Sequence, residues 1–430
     1  MSSPNIPLNE STIISATEKN ENIKLNEKKI DKQAQLREQL INIHGNNIIF
    51  QFKKDIIESI IEYNIFDCTS LKTFLKSITK ELHWTGFSGS RFVRCKTPLK
   101  DMPQRKVYYT VKIVFYNKTI PEMLTNNPND KKYMNMTDCE IKILEIFAEE
   151  FIQTNITRHI ILIFYAKKCN NLLKLAPSDQ YCFKSFDSNY AQLYNSIDNE
   201  KSVLTTLCNQ KISAQKGISY DAISFIALGN INTTLKIYLE SYIDNPFNII
   251  LFKSFMFMII YTFFRIKEKY PLFQHNDLHP GNVILEYNDF DFNPQKIKYI
   301  SYTANDKIFY VPYFGIIPKI IDFGFSSLPE KNIFNYIEID PRHTPSFPFD
   351  NDICFLFHKL YKMLAPQSSF PHIYNLLDNI DVRGTYKIYN REYLRSHPQK
   401  ITSIRDMLMN NYWDEYSSNT PPPNIILELK

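Results

Sequence analysis

The stretch His275-Asn276-Asp277-Leu278-His279-Pro280-Gly281-Asn282 decides the fold of this chain, together with Asp322-Phe323-Gly324 further along. A long apolar run comes before the first stretch, and short apolar runs that predict strands follow it. An aspartate, an asparagine five residues later and a second aspartate after a predicted strand form an ordered set of oxygen-bearing side chains. We therefore expect Asp277, Asn282 and Asp322 to meet at one site.

This set of side chains suits phosphoryl transfer. In that chemistry Asp277 accepts the proton of the attacking hydroxyl, and Asn282 and Asp322 bind the Mg²⁺ ions that bridge the phosphates of ATP. Two other interpretations stay open. The stretch is a polar turn without chemistry, or His275, Asp277 and His279 alternate on one face of an extended segment and bind a metal. His275 itself is expected to support the loop from beneath.

A lysine that fits the same chemistry lies upstream, in Tyr109-Thr110-Val111-Lys112-Ile113-Val114. The pattern matches the strand lysine that contacts the α- and β-phosphates of ATP. Lys112 then needs an acidic partner, and Glu140 on the next predicted helix is the first choice. The alternatives on that helix are Glu145, Glu149 and Glu150. The plainer interpretation is a solvent-exposed lysine near a helix-capping glutamate.

The stretch Gly86-Phe87-Ser88-Gly89-Ser90-Arg91-Phe92-Val93 stands where a loop that covers phosphates is expected. Gly86 and Val93 match the glycine-rich pattern, and Gly89 is displaced by one residue. The chain has only 9 glycines, so each is expected where a side chain does not fit. We expect Gly86, Gly89 and Val93 to contact the nucleotide, with a simple hairpin turn as the alternative.

Composition indicates an ordinary globular protein. The chain has 430 residues, 44% hydrophobic and 22% charged, and a net charge of +5 that is too small and scattered to favour nucleic acid or a membrane surface. Its 7 cysteines form no CxxC pair, so we expect small apolar side chains in a reducing cytosol. The apolar run 247–264 carries Lys253 in its middle and predicts a buried helix, with no membrane span.

The order of predicted elements favours an α+β, bilobed architecture with a small β-rich lobe, a larger mainly helical lobe and a cleft between them. The expected parts are a disordered tail at 1–24, a helical extension at 25–82, a β-rich lobe at 83–228 with a polar insertion at 166–219, and a helical lobe at 229–430. Residues 229–232 read as the hinge.

Individual elements follow from periodicity and turn residues. Helices are expected at 29–43, 52–63, 70–82 and 247–269, and strands at 92–95, 107–115, 159–165, 222–228, 283–286, 297–302, 308–311 and 318–321. The first two strands are expected to form a hairpin, and so are the strands at 297–302 and 308–311. Thr137, three residues before Glu140, predicts a capping box at the start of a further helix. Asp350 and Asp352 begin an apolar helix that runs to Leu364, and they either hold the 275–282 loop or only cap the helix.

Taken together, these motifs resemble the protein kinase-like superfamily over residues 80–365, and within it the serine/threonine kinases of large DNA viruses, of the poxvirus and giant-virus type. Residues 298–326 are similar to the insert that such kinases carry before their magnesium-binding aspartate, and Asp-Leu-His is shared with haspin-type kinases. The resemblance implies a bilobed kinase fold, ATP and Mg²⁺ as cofactors, and protein serine or threonine as substrate. It also implies the host cytoplasm or the virion as location.

Three departures from the kinase pattern matter. Asn276 replaces the usual arginine that anchors a phosphorylated activation loop, so we expect no need for activating phosphorylation. His279 replaces the lysine that neutralises the γ-phosphate and is taken as catalytic. No Ala-Pro-Glu lies between Gly324 and Asp352. A small-molecule kinase of the aminoglycoside or choline type therefore remains an alternative, and a non-catalytic scaffold is a third.

Overall fold

The structure is a computed structural model, and it describes residues 53–82, 90–118, 134–179, 182, 199–241, 246–287, 297–334, 351–364, 371–381, 383–384, 387, 402–418, 420–422 and 424–429. The predicted tail at 1–24 and the predicted helix at 29–43 lie outside these residues, as do Gly86, Gly89 and Asp350. Helices and antiparallel sheets are both present, as the α+β prediction requires.

A five-stranded antiparallel sheet carries the lysine motif, in the order β1-β2-β3-β5-β4. Its strands are β1 Ile78–Leu82, β2 Arg91–Pro98, β3 Lys106–Asn117, β4 Ile163–Cys169 and β5 Ser219–Leu228. The predicted hairpin of β2 and β3 is confirmed, and so is the strand at 222–228. The strand predicted at 159–165 lies further along the chain, since only Ile160 of its first residues makes a bridge, with Ile320.

The helix predicted at 70–82 is wrong in its second half. The helix α2 ends at Ser77, and the next five residues pair with β2, for example Leu82 with Phe92. Glu81 and Leu82 are both buried in that pairing. Cross-strand packing therefore outweighs the helical propensity of this short segment.

Helices lie before, between and after these strands along the described chain. They are α1 at 53–62, α2 Lys72–Ser77, α3 Met136–Phe147 with a π-helical turn at Ala148–Ile152, α4 Leu172–Leu175, α5 Asn199–Gln215, α6 Leu235–Glu240, α7 Pro246–Lys269, α8 Asn351–Leu364, α9 Pro371–Ile380 and α10 Ile404–Leu408. Asn135 caps α3 by accepting a hydrogen bond from the Thr137 amide. The predicted capping box of Thr137 and Glu140 is therefore wrong, and the Glu140 carboxylate accepts hydrogen bonds from Lys112 instead.

Helix α7 is the buried core helix that the sequence predicts. Within the described chain it is long and apolar enough to cross a membrane by length and composition, but most of it is buried inside the fold. Lys253 at its middle pairs with Glu415 at 2.7 Å and donates to the Tyr412 carbonyl at 2.9 Å. Its ammonium also lies 3.8 Å from the centre of the Tyr412 ring, so the charge is compensated by the protein.

Two three-stranded sheets follow α7 in the chain. One has the order β10-β7-β6 and the other β11-β8-β9. Their strands are β6 Thr233–Thr234, β7 Val283–Tyr287, β8 Lys298–Ala304, β9 Lys307–Tyr313, β10 Ile316–Ile320 and β11 Ile425–Leu429. The predicted strands at 283–286, 297–302, 308–311 and 318–321 are confirmed, and β8 with β9 forms the predicted hairpin. The final strand β11 pairs in parallel with β8, at the end of the lobe that was expected to be mainly helical.

The cysteine prediction is wrong for four of the seven. Cys68 is joined to Cys169 and Cys182 to Cys208 by disulfides, while Cys95, Cys139 and Cys354 are buried thiols. The first pair is separated by 101 residues, so spacing along the chain could not reveal it. The second pair joins Cys182 to α5. Both lie in the predicted polar insertion 166–219, whose described residues include the helices α4 and α5.

Candidate active site

Strand pairing brings Asn282 and Asp322 together although 40 residues separate them. β7 and β10 are antiparallel, with Val283 opposite Ile320. Asn282 immediately precedes β7 and Asp322 follows β10 after one residue. The Ile321 amide donates to the Asn282 carbonyl at 3.0 Å, so the two side chains leave the same edge of the sheet. The long insert between them is accommodated by the β8–β9 hairpin.

Asp277 and Asn282 are fixed to each other in the loop after α7. The Asn282 side-chain amide donates to the Asp277 carbonyl at 2.9 Å and to its Oδ2 at 3.2 Å. This leaves the Asn282 amide oxygen as the atom that can bind a cation. Burial raises the pKa of Asp277 to about 6, with a further contribution from the charge of Asp322. The carboxylate is therefore ionised at neutral pH and more basic than an ordinary aspartate.

His279 stands beside Asp277 and is held by its own turn. The Gly281 amide donates to His279 Nδ1 at 3.0 Å, so the proton of the neutral ring is on Nε2, which lies 3.7 Å from Asp277 Oδ2. Burial lowers the pKa of His279, and the ring is neutral at pH 7. A side chain Cβ at position 281 would lie 2.8 Å from the His279 ring, which explains the glycine there.

The backbone of this loop is held by Asp352, at the start of α8. Its two carboxylate oxygens accept from the His275 amide at 2.8 Å and from the Asn276 amide at 2.9 Å. Asn276 adopts a positive φ of 64°, a conformation that asparagine tolerates better than most residues. Of the two functions considered for Asp352, support of the loop is the one that its hydrogen bonds show.

His275 supports the loop from below, as the sequence predicts. It is buried, and its Nε2 donates to the Ile321 carbonyl at 3.0 Å. The ring therefore holds the residue that precedes Asp322. No group of three His, Cys, Asp or Glu side chains among the described residues can hold a metal ion. The alternative metal site made of His275, Asp277 and His279 is thus excluded.

Lys112 on β3 connects Glu140 on α3 with Asp322 after β10. Its Nζ donates to both carboxylate oxygens of Glu140 at 2.8 Å and to Asp322 Oδ1 at 2.8 Å. Lys112 is 2% exposed and Glu140 3% exposed. Of the four glutamates considered on α3, Glu140 is the partner. The interpretation of Lys112 as a solvent-exposed strand lysine is wrong.

The charges of this cluster depend on one another. Burial acts to lower the pKa of Lys112, but Asp322 and Glu140 outweigh it and the pKa is raised. Burial acts to raise the pKa of Asp322, yet Lys112 holds the pKa of this carboxyl below its ordinary value. Lys112 is therefore charged at neutral pH, and Asp322 is an ionised carboxylate.

Aromatic packing fixes the position of Asp322. Phe323 is fully buried, and its ring lies 5.6 Å from Phe147 on α3 and 5.0 Å from the His275 ring. Asp322 itself has φ 63°, a left-handed conformation that costs energy and persists only where the surroundings fix it. The Phe323 anchor therefore couples the direction of Asp322 to the position of α3.

Phe92 rather than Val93 shares the face of Lys112. In the β2–β3 pair Phe92 lies opposite Lys112, and Val93 lies opposite Val111. Neighbouring residues of a strand point to opposite faces, so Val93 is directed away from the lysine. Lys112 Nζ lies 5.5 Å from the Phe92 ring centre. The sequence did not predict this position of Phe92. The glycine-rich pattern, with Gly86 and the displaced Gly89, does not fix the register of β2.

Thr110 and Arg94 contact the predicted hinge and were also missed. The Ile231 amide donates to the Thr110 hydroxyl at 3.2 Å, and Arg94 donates to the Ile231 carbonyl at 2.9 Å. Both side chains lie on the face of Lys112, since Thr110 is two residues before Lys112 on β3 and Arg94 lies opposite Thr110 on β2. A threonine two residues before the motif lysine was a visible signal, but its partner is 121 residues away.

The donor set at Asn282 and Asp322 fits Mg²⁺. An amide oxygen and an ionised carboxylate are hard oxygen ligands of the kind that Mg²⁺ prefers when substrate phosphates complete its coordination. Gly324 leaves space beside this carboxylate, since a Cβ there would lie 3.4 Å from Asp322 Oδ1.

Comparison with known proteins gives a consistent picture. No family model matches the chain. Two curated proteins of Acanthamoeba polyphaga mimivirus are similar to it, and both carry the name "putative serine/threonine-protein kinase". One is 28% identical over 323 residues, which is 67% of this chain and 76% of that protein. The other is 26% identical over 119 residues, 28% of this chain and 25% of that protein.

The chain resembles the serine/threonine-protein kinases of giant viruses. The predicted resemblance to viral kinases is confirmed by these two similarities. A kinase active site is then expected at the loop 275–282, at Lys112 and at the turn Asp322-Phe323-Gly324. The loop 275–282 is called the catalytic loop below.

Proposed function

We propose that this chain is an ATP-dependent protein kinase with a bilobed kinase fold, which transfers the γ-phosphate of Mg·ATP to serine or threonine hydroxyls. The observation that carries the proposal is the contact of Lys112 with both Glu140 and Asp322. It joins the β-sheet, α3 and the segment after β10 at one point. A scaffold protein would have no need for this buried arrangement of charges, which costs desolvation energy.

Each residue has a specific task in this proposal. Asp277 receives the proton of the substrate hydroxyl as the oxygen attacks phosphorus and ADP leaves, and its raised pKa of about 6 makes it a better base than an ordinary aspartate. Asn282 orients the Asp277 carboxylate through its amide hydrogen bond. Lys112, held by Glu140, donates to the phosphates.

Asn282 and Asp322 would hold Mg²⁺, which neutralises phosphate charge when bound. His279 Nε2 is placed to donate a hydrogen bond to a phosphate oxygen or to Asp277. The bound phosphates would favour protonation of its ring, in place of the permanent charge of a lysine. The nucleotide base would lie near Phe92, Thr110 and the hinge.

The choice of serine or threonine as the phosphate acceptor rests on the two mimivirus proteins, whose names specify serine/threonine-protein kinases. The test offers purified protein Mg·[γ-³²P]ATP with a basic protein, an acidic protein, choline and an aminoglycoside. Phosphoserine or phosphothreonine on a protein supports the proposal. Label on a small molecule alone would assign the chain to the small-molecule kinases instead.

A further inference from the structure

The segment after Asp322 is bound to the catalytic loop by main-chain hydrogen bonds. Gln274 and Ser327 exchange both amide hydrogen bonds, at 3.1 and 2.9 Å. Leu328 and Ile333 exchange another two, at 2.9 and 3.1 Å, and close a short loop. The Met134 amide donates to the Phe334 carbonyl at 2.9 Å, so the end of the described segment lies against the start of α3.

Glu150 receives three side chains from two other parts of the chain. It lies in the π-helical turn that follows α3. Lys331, in the loop between Leu328 and Ile333, contacts its Oε1 at 2.9 Å, and Lys269 at the end of α7 contacts its Oε2 at 2.9 Å. Tyr270 donates its hydroxyl to the same carboxylate. Glu150 therefore connects α3, α7 and the segment after Asp322.

A second glutamate strengthens the same junction. The Leu272 amide donates to Glu330 Oε1 at 2.7 Å. Leu272 follows α7 and precedes the catalytic loop, so Glu330 and Lys331 both connect the segment to the end of α7. The sequence places both charged residues directly before the turn at Asn332, whose φ is positive.

The electrostatics favour an ionised Glu150 at this junction. Burial acts to raise the pKa of Glu150, but the hydrogen bonds from Tyr270, Lys269 and Lys331 outweigh it and lower the pKa to about 2. The carboxylate is thus ionised at every physiological pH. Since the three charged side chains are partly exposed, each single pair contributes little to stability. The effect comes from their convergence on one carboxylate and from the main-chain ladder beside it.

A fixed carboxylate between two lysines can do what a phosphate group does when it orders a segment of a regulated protein. Asn276 cannot bind a phosphate in the way that an arginine does, and its side chain instead donates to the Phe325 carbonyl at 3.0 Å. The segment 322–334 is therefore held through Asn276, Gln274 and Glu150, all by groups that need no modification.

We propose that Glu150 is a positioning residue that keeps α3 and the segment 322–334 in the arrangement in which Lys112, Glu140 and Asp322 meet, so that activity requires no phosphorylation. This inference rests on the proposed kinase function. Glu150 touches neither nucleotide nor substrate in this account. It acts through α3, whose Phe147 packs on Phe323 and whose Glu140 holds Lys112.

The experiment compares Glu150→Gln with Glu268→Gln in the full chain. Glu268 is a matched control, because among the described residues its carboxylate forms an ion pair with Arg265 on the same helix, at 2.8 Å. We expect Glu150→Gln to lower kcat about 5- to 30-fold with the ATP dissociation constant changed less than about twofold. Hydrogen exchange in residues 326–333 should accelerate by a similar factor. Raising the salt concentration should reduce the activity of the wild type more than that of Glu150→Gln.

Phosphatase-treated wild type, shown by mass spectrometry to carry no phosphate, should keep its full activity. The inference is overturned if this treatment abolishes activity, or if Glu150→Gln leaves both kcat and exchange in 326–333 unchanged. A wild type that transfers no phosphate contradicts the proposed function instead. The exchange measurement then still decides whether Glu150 holds the segment.

Discussion

Lys112 Nζ lies 2.8 Å from Asp322 Oδ1, although the two residues are 210 positions apart. The same ammonium is held by Glu140. Burying a lysine and its carboxylate partners costs desolvation energy. The contact therefore measures how completely the site is assembled, since it requires β3, α3 and the segment after β10 to be in place together.

Replacement of Lys112 tests this contact. Lys112→Met should lower the rate of phosphate transfer about 10²- to 10³-fold, because one positioned donor to the phosphates is lost. Lys106→Met is the control, since Lys106 is an exposed residue at the start of the same strand. Equal rates in the two variants would show that Lys112 has only a structural task.

The raised pKa of Asp277 predicts a pH dependence. Its carboxylate is a base only when deprotonated, so kcat/KM should fall as the pH drops through about 6 and reach a plateau above pH 7. His279→Gln should keep this limb of the profile, which identifies the aspartate as the titrating group. A limb that disappears in His279→Gln would assign it to the histidine.

The sequence predicted those parts of the molecule whose signal is local. The catalytic loop, the long helix α7 and the strands β7 to β10 follow from motifs and periodicity over a few residues. Glu140 was the first choice among four glutamates because it lies on the capped helix predicted after the strand lysine, although Asn135 and not Thr137 caps that helix. These predictions need only neighbouring residues along the chain.

What could not be predicted depends on contacts between distant segments. The strand β1 forms because β2 offers it an edge, and β11 forms because β8 does. The Cys68–Cys169 disulfide joins residues 101 apart, and the Thr110 contact with Ile231 spans 121 residues. The face on which Phe92 lies depends on the strand register, and a shift of the register by one residue would place it on the opposite face.

Removal of the Asp352 side chain should destabilise the catalytic loop. Asp352→Ala leaves the His275 and Asn276 amides without their acceptor, and orphaned buried donors cost about 1–3 kcal/mol each. We expect the free energy of unfolding in urea to fall by about 2–4 kcal/mol. Asp406→Ala, which removes an exposed carboxylate from the first turn of another helix, should change it by less than about 1 kcal/mol.

The disulfides predict a labelling pattern. In protein unfolded without reductant, a thiol reagent should modify Cys95, Cys139 and Cys354, and reductant should expose the other four cysteines. Cys68→Ser should lower the free energy of unfolding by about 2–4 kcal/mol, because the cross-link restricts the unfolded chain. Labelling of all seven cysteines before reduction would show that the predicted reduced state is the correct one.

The central claim is that Asp277 is the base of a phosphoryl-transfer site, and one comparison tests it most directly. Transfer of the γ-phosphate and binding of Mg·ATP are measured side by side for the wild type and Asp277→Asn. The account predicts that transfer falls at least about 10²-fold while the dissociation constant of Mg·ATP stays within a few-fold of the wild type. Unchanged transfer in Asp277→Asn, or a wild type that binds Mg·ATP and transfers nothing to any acceptor, would contradict it.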